Sequence, residues 1–230
     1  MNKFIIKYSK TGYLKYISHL DLMRLFHRSF KRGSIKLRYS NGYNPHPKMV
    51  IAQPLSLGYE STGDYLEIET CNEMEPNSIM EILNNILPKG IEILKCKSLD
   101  GFNKTLASLV EYASYEIELM TSKSVGNEAL VNFIESEQIN VEKYQHKNNS
   151  TKIIDIKPMI KEFKYEIFTG LIKINVILCA GSARNLNPEL FILGLLKFCG
   201  ISEDDVYIKI NRNDIYFKKD NEIISMENIG

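Results

Sequence analysis

The order of strand-like and helix-like segments constrains the fold of this chain most strongly. Hydrophobic periodicity predicts the order βαββαβ in the first half, with a proline-rich loop leading to an apolar run at 48–52. The predicted strands are 3–9, 34–40, 63–71 and 90–97, and the predicted helices are 18–32 and 76–87. A unit of this kind can bury one face of an antiparallel sheet beneath its helices.

The second half repeats this order with one additional hairpin. Its predicted strands are 111–121, 140–146, 151–157, 205–210 and 214–218, with a β-rich stretch at 163–180 and helices at 125–137 and 187–199. We therefore expect an α+β protein of two ferredoxin-like (βαββαβ) halves, with antiparallel sheets and helices on one face. The expected domains are a basic N-terminal one at 1–100 and an acidic C-terminal one at 109–230. A single larger α+β domain is the alternative.

The two halves differ strongly in charge, although the whole chain carries only +1. Residues 1–59 hold eleven Lys or Arg and a single acid, Asp21, which gives +10, and the remainder of the chain gives −9. Such asymmetry is typical of a surface that binds phosphates or an acidic partner. Four of the six arginines of the chain lie in this basic segment: Arg24, Arg28, Arg32 and Arg38.

The first predicted helix combines a buried stripe with a row of arginines. Ser18 is the expected N-cap, with Asp21 three residues later. The predicted buried positions are Leu22, Met23, Phe26 and Phe30. Because Arg24, Arg28 and Arg32 recur every four residues, they share one face, where an anion would relieve their mutual repulsion. A solvated helix face is the ordinary alternative.

The predicted strand that follows alternates between apolar and polar residues. Its apolar side is predicted to hold Ile35, Leu37 and Tyr39. Lys36 and Arg38 fall on the other side, where they could bind a ligand or pair with Glu67 and Glu69 of the strand at 63–71.

The segment Ser40–Lys48 contains an unusual Asn-Pro-His-Pro sequence. Asn41-Gly42 favours a tight turn, and Pro45 and Pro47 restrict the backbone on either side of His46. A loop stiffened in this way presents its polar and aromatic groups with little entropy left to lose on binding. The candidate ligand-binding residues of this loop are Tyr43, Asn44, His46 and Lys48. A rigid crossover between strands is the alternative.

Metal and cysteine chemistry are weakly indicated. His19, Asp21 and His46 are weak candidates for metal ligands, because histidine and carboxylate suit several divalent ions. The cysteines are scattered without a C-x-x-C pair, which argues against a zinc ribbon or a local iron–sulfur site, and we expect no cofactor. These four cysteines, predicted to be small buried residues, are Cys71, Cys96, Cys179 and Cys199.

The loop before the last predicted helix is a second candidate anion site. Asn187 is the expected N-cap, followed by Pro188. The preceding Gly181–Asn185 segment could offer backbone N–H groups and Arg184 to an anion. It lacks a Walker-type Gly-Lys-Ser/Thr, so nucleotide hydrolysis is not expected. A plain capped loop is the alternative.

Several motifs together resemble a known family. They are Tyr16-Ile17-Ser18-His19-Leu20-Asp21-Leu22-Met23-Arg24, the segment Tyr39–Lys48, Ala52-x-Pro54-Leu55-x-Leu57-Gly58-x-Glu60-Ser61, and Gly181-Ser182-Ala183-Arg184-Asn185 before Pro188-Glu189. The chain is similar in these motifs to the radical-SAM-linked family of unknown function, DUF2344. Tyr43 stands where Phe is common in that family, and Asp64 stands where Glu is common.

The resemblance implies an accessory protein that works beside a radical-SAM enzyme, without established catalytic residues. We therefore expect a non-catalytic RNA-binding or substrate-presenting partner of that enzyme, with no catalytic residue assigned. The expected nucleic-acid contacts are Arg24, Arg28, Arg32, Arg38, Tyr43, Asn44, His46, Lys48 and Arg184, with Tyr13 or Tyr16 as further stacking candidates.

Two other functions fit the same residues. One is a protein–protein adaptor whose basic half docks an acidic surface without RNA. The other is a metal-independent ribonuclease that uses a histidine, similar in expected fold to the CRISPR repeat-processing endonucleases. No run approaches the ~20 apolar residues of a membrane span, and the start lacks a signal-peptide pattern. We expect a cytoplasmic protein without a membrane partner.

Overall fold

The computed structural model describes residues 2–99, 101–123, 125–145 and 149–229. It is a mixed α and β protein with mostly antiparallel strands and few helices. It divides into two compact units, one formed by Met1–Glu111 with Asn211–Gly230 and the other by Tyr112–Ile210. The C-terminal twenty residues therefore belong to the first unit, whereas the sequence assigns them to a C-terminal domain.

The elements of the first half of the chain are separated mostly by short connections. They are β1 (Lys3–Lys10), a 3₁₀ turn (Gly12–Tyr16), α1 (His19–Arg32), β2 (Met49–Ile51), β3 (Glu60–Glu69), α2 (Pro76–Asn84), β4 (Ile91–Ser98) and α3 (Leu106–Leu109). The elements of the second half are β5 (Tyr112–Thr121), α4 (Asn127–Glu135), β6 (Asn140–Gln145), β7 (Ser150–Asp155), β8 (Ile160–Phe168), β9 (Leu171–Cys179), α5 (Pro188–Cys199), β10 (Val206–Lys219) and β11 (Glu222–Ser225).

The sheet of the first unit is built on β1 and β3. Strand β1 pairs antiparallel with both β3 and β4, and β2 pairs antiparallel with β3. The end of the chain returns to this sheet, because β10 pairs in parallel with β3 at Asn211–Glu60 and Arg212–Ser61. Strand β11 then pairs antiparallel with β10. The segment after residue 210 is thus an integral part of the first unit.

Helix α1 packs its apolar stripe into the core of the first unit. Leu22, Phe26 and Phe30 are buried, and Met23 packs against them with partial exposure, as the sequence predicts. The ring of Phe26 meets the buried ring of Tyr8 on β1 edge to face, with centroids 4.9 Å apart. This packing fixes the rotation of α1 and turns its arginine stripe towards solvent.

The predicted strand at 34–40 is wrong as a regular element. In the part of the chain that the structure describes, this segment forms two isolated bridges, Leu37 with Thr70 and Tyr39 with Pro47. Proline has no backbone N–H, so the pairing opposite Tyr39 cannot continue as a regular ladder. The alternation itself holds in part, because Ile35 and Leu37 are buried while Tyr39 is 48% exposed.

The second unit has a different arrangement of strands. Strands β5, β9 and β8 pair antiparallel in that order, whereas β6 and β7 form a separate two-stranded sheet within the described residues. Helices α4 and α5 contact through Phe133 and Phe191, whose rings cross edge to face at 5.7 Å. Asn187 caps α5 by accepting a hydrogen bond from the Glu189 backbone N–H, as predicted. No helix in the described part of the chain is long and apolar enough to cross a membrane.

Candidate nucleic-acid interface

The N-terminal end of α1 is fixed by a capping interaction. The Ser18 hydroxyl oxygen accepts a hydrogen bond from the Asp21 backbone N–H at 3.1 Å and donates one to the Asp21 carboxylate at 2.7 Å. Arg24 donates to the other carboxylate oxygen of Asp21 at 3.0 Å. These bonds, first that from Ser18 and then that from Arg24, lower the pKa of Asp21. Among the described residues, Arg24 is the member of the arginine stripe that forms an ion pair within 4.0 Å, whereas the charge of Arg28 acts on Asp21 from farther away.

Most of the remaining predicted cations of the first unit have no acidic partner. Arg28 and Arg32 are exposed on α1, and Lys36 and Arg38 are exposed on the segment that follows. Among the described residues, no carboxylate lies within 4.0 Å of the charged nitrogens of these four side chains. The glutamates that could have neutralised Lys36 and Arg38 pair elsewhere: Glu67 with Lys3 at 3.0 Å, and Glu69 with Lys48 at 2.7 Å.

The Asn-Pro-His-Pro loop is closed by main-chain hydrogen bonds at its base. Ser40 donates its N–H to the His46 carbonyl at 2.8 Å, and Lys48 donates its N–H to the Arg38 carbonyl at 2.7 Å. The His46 N–H in turn donates to the Ser40 hydroxyl at 3.0 Å. Tyr43, at the tip, is fully exposed. The loop therefore presents Tyr43, Asn44 and His46 to solvent, while Lys48 lies at its base in an ion pair.

A groove with an apolar floor lies in the first unit beside this loop segment. It is lined by His27, Phe30 and Lys31 of α1, by Ser34, Ile35, Lys36, Leu37 and Tyr39, and by Cys71. His27 Nε2 and the Tyr39 hydroxyl are 3.2 Å apart, which is hydrogen-bond distance. The groove thus combines three aromatic rings, those of His27, Phe30 and Tyr39, with two lysines, Lys31 and Lys36.

The weak metal candidates are not brought together. In the described ranges, no three His, Cys, Asp or Glu side chains lie close enough to hold a metal ion. Asp21 instead serves the cap of α1, and His46 lies in the exposed loop. Arg184, the remaining predicted contact, is an exposed residue of the second unit, in the loop before α5.

A buried ion pair lies under the segment that leads into β3. Arg212 donates from Nε to Asp64 Oδ1 at 2.7 Å, and each side chain is only 1% exposed. The same guanidinium donates to the carbonyls of Gln53 at 2.7 Å and Pro54 at 3.2 Å. The Ser61 hydroxyl donates to Asp64 Oδ1 at 2.7 Å. One guanidinium therefore anchors the start of the 53–59 segment to β3.

Further polar groups share this buried site. Tyr8 is fully buried, and burial, reinforced by the negative charge of Asp64, raises its pKa. Lys10 is 1% exposed, and burial lowers its pKa although Asp64 acts in the opposite direction. Burying a carboxylate, two cations and a phenol in one cluster lowers the free energy of unfolding unless their mutual geometry is maintained. This cluster is therefore a fixed support for the chain around it.

Sequence reasoning missed His27, Lys31 and Arg212. His27 and Lys31 are four residues apart on α1, beside the arginine stripe, but the helix pattern alone could not reveal the segment that packs opposite them. Arg212 lies 148 residues from Asp64 and carried no local motif. The family motif that ends at Ser61, with Asp64 just beyond it, was the available signal.

These features define a mixed α and β protein whose first unit exposes, among the described residues, four cations with no carboxylate within 4.0 Å: Arg28, Arg32, Lys36 and Arg38. Residues 3–188 match a family described as an uncharacterized protein conserved in bacteria (DUF2344), and the chain belongs to this family. No curated protein matches the chain.

Two solved structures match this chain, the first of them with a similar fold. One is a chain of a Cbf5–Nop10–Gar1 complex, which is 9% identical with a TM-score of 0.54, over 98% of this chain and 53% of that chain. The other is a chain of the archaeal box H/ACA sRNP Nop10–Cbf5 complex, which is 10% identical with a TM-score of 0.48, over 91% of this chain and 46% of that chain. This chain thus spans about half the length of these two chains. At such identities the likeness concerns the fold alone.

Proposed function

We propose that this protein is a non-catalytic RNA-binding or substrate-presenting accessory of a radical-SAM enzyme, and that it acts in the cytoplasm. The observation that carries the RNA-binding part is the set of exposed cations without an acidic partner: Arg28, Arg32, Lys36 and Arg38. Unpaired cations on one segment are the usual means of holding a phosphate backbone. The radical-SAM partner is supported by the family resemblance.

Single-stranded RNA fits the remaining groups best. The side chains of Tyr43, Tyr13 and Tyr16 are 100%, 93% and 63% exposed, and an exposed aromatic ring is a stacking platform for an unpaired base. The braced loop holds Asn44 and His46 beside Tyr43, where they can donate or accept hydrogen bonds at a base edge. The other proposed phosphate contacts are Arg24, Lys48 and Arg184. Two of them would first have to release an acidic partner, since Arg24 pairs with Asp21 and Lys48 with Glu69.

The proposed architecture remains two ferredoxin-like halves. The pairings of β1 with β3 and β4, and of β2 with β3, support it for the first unit. The separate β6–β7 pair makes the second unit a more divergent example.

The experiment is fluorescence anisotropy with a labelled single-stranded RNA at increasing salt. The four cations without an acidic partner should alone give a slope of log K against log [salt] of about −3, since each phosphate contact contributes about −0.7. With Arg24, Lys48 and Arg184 also engaged, the slope should approach about −5. The triple variant R28A/R32A/R38A should bind more weakly and reduce the slope by about 2. The matched control K152A/K161A/K218A removes three exposed lysines and the same charge. It should bind as the wild type does.

Three outcomes would overturn the proposal. The first is undetectable RNA binding, and the second is RNA binding that salt does not weaken. The third is a loss of RNA affinity in K152A/K161A/K218A as large as that in R28A/R32A/R38A. If RNA does not bind but a radical-SAM protein co-purifies after nuclease treatment, the basic surface serves a protein partner instead.

A further inference from the structure

The groove between α1 and the segment at 34–39 has the size and lining of a small-ligand site. Its volume is about 540 Å³, within the range of roughly 300–1,000 Å³ usual for small-molecule pockets. The floor consists of Phe30, Ile35 and Leu37, which are all buried. None of the lining residues is acidic. A bound ligand would therefore contact an apolar floor and a rim that carries positive charges and no negative ones.

The rim of this groove has aromatic groups from both sides. His27 comes from α1 and Tyr39 from the following segment, and their hydrogen bond at 3.2 Å links the two sides. This bond restrains the Tyr39 ring, which is 48% exposed and so retains free surface. A restrained, partly exposed ring over an apolar floor suits a planar aromatic ligand.

The cations of the rim determine the charge of the ligand. Lys31 and Lys36 line the groove, and the unpaired Arg28 and Arg32 lie on the same helix as Lys31. On a helix, residues three and four apart are neighbours, so Arg28 lies next to Lys31. A ligand that is both planar and anionic satisfies both features, and a nucleotide is such a ligand.

We infer that this groove holds one unpaired base of a single-stranded RNA, with the adjoining phosphate between Lys31 and Lys36. This inference rests on the proposed function and deepens it, because it assigns a base-binding slot distinct from the exposed tyrosines of the loop. Single-stranded nucleic acid is bound by such a combination of stacking ring and basic channel. A paired base cannot enter the slot, so duplex RNA is held by the outer cations alone.

The first test compares Tyr39→Ala with Tyr39→Phe in the full chain. Tyr39→Ala should weaken single-stranded binding about tenfold through the loss of stacking, whereas Tyr39→Phe keeps the ring and should lose less than threefold. The salt slope should stay unchanged in both variants, because neither removes a phosphate contact. Tyr207→Ala, which removes a 60% exposed tyrosine of the second unit, is the matched control and should bind as the wild type does.

The second test uses the wild-type chain and the thiol that lines the groove. Cys71 is exposed, whereas Cys96 is buried and Cys179 and Cys199 are half-buried. Mass spectrometry of the Cys71 peptide measures its rate of alkylation by iodoacetamide. Saturating single-stranded RNA should slow this rate at least fivefold, and duplex RNA of equal length should leave it within twofold of the free protein.

The outcomes separate this inference from the function on which it rests. If RNA binds with the expected salt slope, but Tyr39→Ala binds normally and Cys71 stays reactive, the base slot is wrong while the RNA-binding function stands. If no RNA binds at any salt concentration, the proposed function fails as well.

Discussion

Arg212 and Asp64 form a fully buried ion pair that joins the end of the chain to β3. Arg212 Nε lies 2.7 Å from Asp64 Oδ1, and the guanidinium also holds the carbonyls of Gln53 and Pro54. The Arg212 side chain thus connects the end of the chain with two segments near the start of β3, at 53–54 and at Asp64. Ser61, the last residue of the motif at 52–61, contacts the pair through its side chain, because its hydroxyl donates to Asp64 Oδ1 at 2.7 Å.

Breaking this pair on one side should be costly. Arg212→Ala leaves Asp64 buried without its cation, and the expected loss in the free energy of unfolding is about 3–5 kcal/mol. The double variant D64L/R212M removes both charges of the pair and should recover part of that loss, because a buried pair can be replaced by apolar residues of similar volume. Recovery should be incomplete, since the buried Lys10 then lacks the neighbouring Asp64 carboxylate. Urea denaturation measures both. A loss below about 1 kcal/mol in Arg212→Ala would contradict a supporting role for the pair.

Local signals in the sequence predicted the elements that depend on local interactions. The Ser18 cap and the Leu22, Phe26 and Phe30 stripe are confirmed, because capping and helical periodicity act within a few residues. The strand at 34–40 failed because its regularity depends on a partner, and that partner contains Pro47.

The candidate site was only partly accessible to sequence reasoning for the same reason. The exposed cations and the loop could be found from spacing alone. Tyr39 was assigned to the apolar side with Ile35 and Leu37, but the end of regular pairing at Pro47 leaves it half exposed beside His27. The groove arises from that departure, which no periodic pattern encodes.

Gly63 should tolerate no side chain. A Cβ at this position of β3 would lie 2.0 Å from the Asn213 carbonyl oxygen on β10, and a backbone atom cannot move aside as a flexible side chain can. Gly63→Ala should therefore lower the free energy of unfolding by about 1–3 kcal/mol or more. Gly126→Ala is the control, since nothing lies within 4 Å of its added Cβ. It should change stability by less than about 1 kcal/mol. Equal thermal midpoints for the two variants would show that β3 and β10 can separate at Gly63 without cost.

Glu227 should give the protein an acid-dependent stability. Hydrogen bonds from Lys7 at 2.8 Å, and then from Lys95 at 2.6 Å, lower the pKa of Glu227 from 4.5 to about 2. The unfolded chain takes up this proton near pH 4.5 and the folded chain does so only near pH 2. The stabilisation is therefore complete above about pH 4.5 and is lost as the pH falls towards 2.

Glu227→Gln should weaken the protein at pH 7 and flatten its stability profile between pH 4.5 and 2. Urea denaturation at several pH values measures this. Glu222→Gln, a change at an exposed residue of β11, is the control and should keep the wild-type slope. If the stability of Glu227→Gln depended on pH as that of the wild type does, the contacts with Lys7 and Lys95 would not lower the pKa of Glu227.

Tyr43 should contribute to RNA binding and nothing to folding. Its side chain is fully exposed at the tip of a loop whose base is closed by Ser40 and His46, so its removal exposes no core and breaks none of these bonds. Tyr43→Ala should change the free energy of unfolding by less than about 0.5 kcal/mol. It should weaken single-stranded RNA binding about tenfold, because stacking on one base contributes about 1–3 kcal/mol. Combined with Tyr39→Ala, the losses should add if two different bases are bound, because neither ring then shares a partner with the other. Anisotropy titrations of both single variants and the double variant measure this additivity. A double variant no weaker than either single one would mean that both rings serve the same base.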